Sequence, residues 1–325
     1  MPTATAIAHP NIALCKYWGK RDVALNLPAT PSISLTVAPF STRTTVDWGA
    51  APDYAATADE LVLNGELTTG LAAKKVFAVL DLLDAWRPRC RVVSDNDFPT
   101  AAGLASSSSG FAALVVAADA AATAKRGPIE LSVLARRGSG SAARSIYGGW
   151  SEWKMGERAD GADSFAVEIA PVAHWDVRLV VAIFDSGPKS VSSTDGMIDC
   201  ERSSPFWKGW LGSAPADVVE ARGHIQRRDL EALGEVMERS ALRMHACMMA
   251  SDPPIFYWKS GTVWAMEAVR ELRRRGIACA FTIDAGPNVK VLCAAEDAEA
   301  VRSRLAAVAD RVEVLHPGGP ASVVA

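Results

Sequence analysis

The sequence has no Cys-x-x-Cys pair, no internal repeat, no low-complexity linker, no strong charge of either sign and no long uninterrupted apolar run. Each absence removes a class of function. The six cysteines (Cys15, Cys90, Cys200, Cys247, Cys279 and Cys293) are scattered, which argues against a zinc knuckle or a redox motif. Most sit in apolar surroundings such as IACAFTI and KVLCAA, the setting of a buried, reduced thiol. A net charge of −3 and a pI near 6.0 leave no electrostatic footprint for nucleic acid, although a basic pocket for a small anion remains open. The longest apolar stretch, residues 111–124, is interrupted by Asp119 and is too short to span a bilayer. The opening MPTATAIAHPNIAL lacks the basic segment and long apolar core of a signal peptide. The expectations are no nucleic acid, no membrane and a reducing cytoplasm.

What is present fits a compact enzyme-sized chain. Of 325 residues, 49% are hydrophobic and 22% charged, enough for one large or two ordinary domains with a real core. ATAIAHPNIAL, SISLTVAP and TRTTVDW read as strands, and Asn64-Gly65 in ELVLNGELTT is a strong hairpin signal. In AAKKVFAVLDLLDAW, Val76, Leu80 and Leu83 share one helical face. CRVVSDNDF is a strand leading into PTAAGLASSSSG (residues 99–110), followed by helices over about 106–124 and through IELSVLARRG. SIYGGWSEW, SFAVEIA and VRLVVAIF return to strands, and GPKSVSST reads as a loop. Helical stretches around 215–249 and 258–275 precede a strand–turn–strand–helix–strand ending. The pattern predicts two closely packed α+β domains, 1–185 and 186–325.

Four stretches carry chemistry. The serine run is no Walker loop, because no Gly-Lys-Ser/Thr closes it. A strand before it and an alanine-rich helix after it are the context in which Gly103 lets backbone amides approach an anion. The competing reading is a capped structural turn. GSGSAARSIYGG (138–149) matches G-x-G-x-x-A only formally, since a helix and not a strand precedes it. It either presents Ser139, Ser141 and Arg144 to a carboxylate or phosphate, or is a helix C-cap with an exposed arginine beyond it. In NIALCKYWGKRD, Lys16 and Lys20 flank Tyr17 and Trp18; the pair is either solvated or lines an anionic pocket. In FTIDAGPN, Asp284 ends an apolar strand, either as a turn-former or as a general base facing a cleft.

Together, NIALCKYWGKRD, FPTAAGLASSSSGFA, RRGSGSAARSIYGGW, KSVSSTDGM, MHA at 244–246 and TIDAGPN resemble the GHMP kinase superfamily, and within it the diphosphomevalonate decarboxylases. The resemblance spans nearly the whole chain. It implies an α+β GHMP kinase fold: a ribosomal-S5-domain-2-like N-terminal domain, a ferredoxin-like C-terminal domain and a cleft between them. It implies ATP and Mg²⁺ as cofactors, mevalonate 5-diphosphate as substrate and a homodimer. In the family reaction the tertiary 3-hydroxyl is phosphorylated, then phosphate and CO₂ leave. By resemblance Asp284 is the base, Lys16 lies near the reacting oxygen, and Arg144 with Ser139 and Ser141 holds the substrate carboxylate. Pro99, Ala102, Gly103, Leu104, Ala105, Ser106, Ser107 and Ser108 form the ATP phosphate loop, with Ser106 or Ser107 on Mg²⁺ and Ser106 also serving the transfer. Tyr17, Trp18, Gly19, Lys20, Lys75, Gly140, Ala142, Ala143, Ser192 and Ser193 match substrate-binding positions.

After Met197 the chain reads IDCERSSPFW, departing from the family's usual Thr-Ser-Val-Glu-Thr-Ser pattern. Three rivals share the scaffold: a kinase that stops at the 3-phosphate, a decarboxylase of the 5-monophosphate and a catalytically dead sensor. The set of Lys16, Arg144 and Asp284 weighs against the first, and Asp284 with the intact loop against the last.

Overall fold

Short strands, some buried on one face and some on both, build the first half of the chain, and the computed structural model describes residues 3–49, 58–98, 106–185, 187 and 190–324. The segment expected as one strand splits at His9-Pro10 into β1 (Thr3–Ala8) and β2 (Asn11–Cys15). A ribbon of β3 (Lys20–Asp22) and β4 (Leu27–Pro28) follows, then β5 (Ser32–Ala38) and β6 (Thr42–Asp47). The hairpin of β7 (Glu60–Leu63) and β8 (Glu66–Leu67) turns at Asn64 and Gly65, both at positive φ (48° and 82°), as the sequence predicts. Helix α1 (Gly70–Leu83), β9 (Arg91–Asn96), α2 (Ser106–Ala121) and α3 (Pro128–Gly138) come next. The run SSSSGFAALVVAADAA of α2 is mostly alanine and serine, so it lies close against β1 and β6 with eleven of its sixteen residues buried.

A 3₁₀ helix (Gly140–Ile146) stands where a turn was expected. Strands β10 (Trp150–Trp153), β11 (Ala166–Ala170) and β12 (Val177–Ile183) follow. The loop expected through residue 194 is shorter, because α4 (Ser193–Ser203) begins at Ser193 with Ser192 as its N-cap. The helical region beyond is α5 (Trp207–Arg227), α6 (Leu230–Met249) and α7 (Ser260–Arg274). Between the first two, Arg228 adopts a left-handed φ of 58° and Asp229 caps the next helix. The chain ends with β13 (Cys279–Ile283), β14 (Val289–Ala294), α8 (Ala298–Ala306), β15 (Arg311–Pro317) and β16 (Ser322–Val324).

Two large sheets result. One has the order β16-β1-β6-β9-β7-β8, with α1, α2 and α3 packed on it. The other runs β11-β10-β5-β15-β12-β14-β13, with β2 also paired to β5. This second sheet crosses both halves of the chain. The crossing is the pair β15·β5, joined at His316↔Ala38 and Pro317↔Val37. Helices α5 and α6 cover one part of it, and α7 and α8 another. A separate cluster of Trp18, Trp207, Trp210, Met197 and Met244 fills the space between the KYWGK segment and α4–α6. All six cysteines are buried and unpaired.

Candidate active site

Two strand ends and one helical turn deliver the charged groups. β2 stops at Cys15, and Lys16 follows at 2% exposure, its amide held by the Ser240 hydroxyl of α6 at 2.9 Å. β13 stops at Ile283, and Asp284 follows. Across 268 positions of sequence, Lys16 Nζ donates to Asp284 Oδ1 at 2.5 Å, and to the Ala13 carbonyl at 2.9 Å. The other carboxylate oxygen, Oδ2, lies 3.0 Å from Lys290 Nζ, a lysine of β14 that is 1% exposed. Asp284 keeps 28% of its side chain exposed, so it is gripped from behind and open in front. It lies with Lys290, Phe256, Tyr257, Trp258 and Asn288 along a cavity of about 230 Å³.

Arg144 sits in the 3₁₀ helix at 2% exposure. Its Nε donates to Asn11 Oδ1 at 3.1 Å and its Nη1 to Ser32 Oγ at 2.6 Å, and the guanidinium lies 5.8 Å from the Trp153 ring. The exposed-arginine reading of this turn is thereby excluded. Asn11 also donates through Nδ2 to the Ser141 carbonyl and the Ser145 hydroxyl, so one amide sets both the turn and its arginine. Gly140 is required: a Cβ there would lie 2.8 Å from Trp153 and 2.9 Å from the Tyr17 hydroxyl. Ala142 and Ala143 are fully buried and anchor the turn in the cores beneath it.

The charges set one another's protonation. Burial alone would push the Asp284 carboxyl up, but the Lys16 and Lys290 ammonium groups overcome it and hold it well below the usual carboxylate range. Burial brings Lys16 down to about 8 against the pull of Asp284, with Lys290 and Arg144 adding repulsion. Burial lowers Arg144 to about 10, which leaves it a cation at neutral pH. His245 of the MHA stretch is brought down to about 3 by burial and by Lys16, so it stays neutral behind the site.

Around this centre the remaining residues fall into two groups. Ser106, Ser107 and Ser108 open α2, and Ser107 Oγ lies 3.1 Å from Ser139 Oγ, which lies 3.4 Å from Ser141 Oγ. The start of the serine helix and the GSGSAARS turn therefore share a hydroxyl chain. Pro99, Ala102, Gly103, Leu104 and Ala105 lie outside the described residues. On the other side, Lys20 Nζ donates to Asn26 Oδ1 at 2.8 Å and Thr194 Oγ1 at 3.2 Å. Burial lowers Lys20, and the charge of Lys75, exposed on α1, adds to the shift. Gly19 takes a φ of +109°, and a Cβ there would strike Trp207 at 2.3 Å. Trp18 is 1% exposed in a cluster with Trp207 and Trp210, and its carbonyl accepts from Trp210 Nε1 at 2.7 Å. Tyr17 is half-buried, edge-on to Trp153 at 4.8 Å, with a hydroxyl that has no hydrogen-bond partner among the described residues. Ser192 accepts from the Asp195 amide and donates to Asp195 Oδ2 at 2.6 Å; Ser193 starts the same helix.

Sequence reading missed Asn11, Ser32, Thr194 and Lys290. Only Lys290 left a signal, a lone charge in the apolar strand VKVLCA. As chemistry, the arrangement offers an ionised, partly open carboxylate, a fixed guanidinium within electrostatic reach of it and basic groups for a second anion.

Comparison with known proteins gives one answer. Family profiles for the diphosphomevalonate decarboxylase-like N-terminal domain and the mevalonate 5-diphosphate decarboxylase C-terminal domain match residues 8–166 and 179–316. The diphosphomevalonate decarboxylase of Aspergillus fumigatus is 39% identical, over 94% of this chain and 80% of the relative. Among solved structures, the mevalonate diphosphate decarboxylase of Staphylococcus aureus superposes with a TM-score of 0.92 at 36% identity, covering 99% of this chain and 98% of that one. A structure of MDDEF in complex with MVAPP, AMPPCP and magnesium gives a TM-score of 0.91 at 38% identity, with the same coverage of both chains.

Proposed function

The chain belongs to the diphosphomevalonate decarboxylase family, and from that premise we propose that it converts (R)-mevalonate 5-diphosphate and ATP to isopentenyl diphosphate, ADP, phosphate and CO₂. The observation that carries the reading is Asp284, a carboxylate held ionised by two buried ammonium groups, open on one side and within electrostatic reach of Arg144. A tertiary alcohol is a hindered nucleophile and needs a fixed acceptor for its proton. Asp284 takes that proton as the 3-oxygen attacks the γ-phosphorus of ATP and ADP leaves. Lys16, already on Asp284 Oδ1, stabilises the oxygen while its charge changes hands. The C3–O bond to phosphate then breaks, the bond to the carboxylate supplies its electrons to the new double bond, and CO₂ departs.

Arg144 holds the leaving carboxylate in line, supported by Ser139 and Ser141, because its planar fork fixes an angle that a point charge cannot. Lys20 and Lys75, with Tyr17 and the Ser192–Ser193 helix start, receive the diphosphate; Gly19, Gly140, Ala142 and Ala143 provide the close backbone that lets these groups converge. The helix start at Ser106–Ser108 and the loop before it receive the ATP phosphates. Among the described residues no three His, Cys, Asp or Glu side chains gather for a metal ion, so the donor set suits an ion that arrives on the nucleotide. The hard hydroxyl oxygens of Ser106 and Ser107 fit Mg²⁺, which supplies charge neutralisation to the transferring phosphoryl group when bound.

We divide the chain at 185/186 into the two domains of the kinase fold. Six buried, unpaired thiols support a reducing cytoplasm, and no described helix is long and apolar enough to cross a membrane. The family likeness supports a homodimer, which sedimentation tests. The decisive experiment supplies ATP, Mg²⁺ and carboxyl-labelled mevalonate 5-diphosphate, with the 5-monophosphate as a parallel arm. Equal yields of CO₂, ADP and phosphate from the diphosphate are expected. ADP without CO₂ would make the protein a plain kinase.

A further inference from the structure

Lys290 has no role in the chemistry above, yet it occupies an expensive position. Its strand is otherwise apolar, Val289, Val291 and Leu292 being fully buried, and an ammonium in such a place is destabilising unless paired. Its partners are Asp284 Oδ2 at 3.0 Å and the Asn288 carbonyl at a long 3.4 Å. Two lysines therefore share one carboxylate, and with Arg144 nearby the buried cluster carries more positive than negative charge. A strand needing only stability would place a valine there. An ammonium on the oxygen that Lys16 does not hold does something a valine cannot: it fixes the plane of the carboxylate.

We propose that Lys290 is a positioning residue for the base, holding Asp284 Oδ2 so that the carboxylate keeps one orientation while Lys16 shares Oδ1 with the reacting hydroxyl. The assignment rests on Asp284 acting as the base in the reaction proposed above. The register supports it, because Lys290 pairs with Thr282 of β13, and Thr282 Oγ1 donates to the same Ala13 carbonyl that accepts from Lys16 Nζ. The two lysines thus approach one acid from a single framework. The charged and titratable groups facing Lys16 are Asp284 after β13, Lys290 on β14, Arg144 on the 3₁₀ helix, His245 on α6 and the neighbouring Cys15 thiol.

The test is Lys290→Met, which keeps the stem and removes the charge. Turnover should fall by about 10- to 100-fold, the scale of a misaligned reacting group, with KM for ATP and substrate nearly unchanged. Lys290 repels the Lys16 ammonium, so its loss should move the alkaline limb of the kcat profile to higher pH. The same rise should appear in the titration of the Lys16 ε-carbon by NMR on the ligand-free protein. Melting should not drop, since a buried cation has left a cluster with excess positive charge. If wild-type protein releases no CO₂, the functional reading fails, and the NMR titration still decides whether Lys290 acts on the Lys16–Asp284 pair. If Lys290→Met does not fold, Lys290→Gln takes its place with the same readouts. An unshifted Lys16 titration, or full turnover, overturns the assignment and leaves Lys290 a structural strut.

Discussion

Two buried arginines stand just before and within the GSGSAARS turn, and their partners differ in kind. Arg136 in α3 is 1% exposed and Arg144 is 2% exposed, and burial lowers each to about 10. Arg136 donates to backbone carbonyls, those of Gly161 at 2.7 Å and Ser164 at 2.5 Å, and so ties the β10–β11 loop to α3. Arg144 donates to side chains, Asn11 and Ser32, and feels Asp284 across the cleft. Burial and pKa are thus the same for both. What differs is the kind of partner: Arg136 reaches backbone carbonyls through Nη1, whereas Arg144 is held through Nε and Nη1 by side chains from two strands.

The sharpest way to break the comparison is to remove the acid that Arg144 faces. Asp284→Asn should lower turnover by about 10²- to 10⁴-fold while ATP affinity stays near wild type, because the amide fills the same space and cannot take a proton. Rapid-quench kinetics beside nucleotide titration would show it; a variant keeping half the normal rate would remove Asp284 as the base. Next come the arginines themselves. Arg144→Lys should cost about 10²-fold in single-turnover CO₂ release through misalignment, with a nearly unchanged melt. Arg136→Met should do the reverse, each stranded carbonyl costing about 1–3 kcal/mol of stability, with kcat kept. If both variants lose rate and stability alike, the distinction between the two arginines collapses.

A pH series sharpens the same contrast. If Lys16 assists the oxygen as proposed, it must stay protonated, and kcat should fall as pH rises through about 8. Neither Asp284 nor His245 should produce an acid limb in kcat between mild acid and neutrality, since both titrate far below it. Stability should move the opposite way. Between about 8 and the ordinary lysine value of 10.5, the unfolded chain holds a proton that folded Lys16 has lost, so this group's contribution to stability rises with pH. Denaturant melts set beside the rate profile test the sign. The smallest effect belongs to Ser192→Ala, which removes the N-cap of α4 and should cost about 0.5–2 kcal/mol, readable as a lowered melting temperature.

Local signals were legible in the sequence where local physics decided the structure. The Asn64-Gly65 hairpin, the apolar face of α1 and the closing strand–turn–strand–helix–strand all formed where their residues placed them. Lys16, Arg144 and Asp284 were named from motifs and family likeness, and the fold brings the lysine onto the acid across the chain. Spacing alone could not have joined them. Asn11 and Ser32 stayed hidden because each is one polar residue at the head of an ordinary strand, and its partner is known only once β2, β5 and the 3₁₀ helix meet. SISLTVA shows the limit well. Its alternation suggests a wet serine face, but all seven residues are buried because β10 pairs along one side, β2 and β15 along the other, and polar groups such as Ser151 and Arg144 meet its hydroxyls.

The sheet that crosses both halves also fixes how the molecule can flex. β13 and β14, which carry the acid and its second lysine, belong to the same hydrogen-bonded lattice as β5, which carries Ser32 beneath Arg144. Like the slats of a blind, such a lattice bends and twists easily but resists stretching, since lengthening it means breaking rungs about 4.8 Å apart. The junction at β15·β5 has two paired positions, reinforced by the Gly318 amide on the Thr36 carbonyl at 2.8 Å. The spacing between Asp284 and Arg144 is therefore tied, through Ser32, to one hydrogen-bonded sheet. Any gathering of groups around a substrate falls to parts hung on the lattice by side chains, as α4 is by Thr194 on Lys20 and by Gly196 against Trp18.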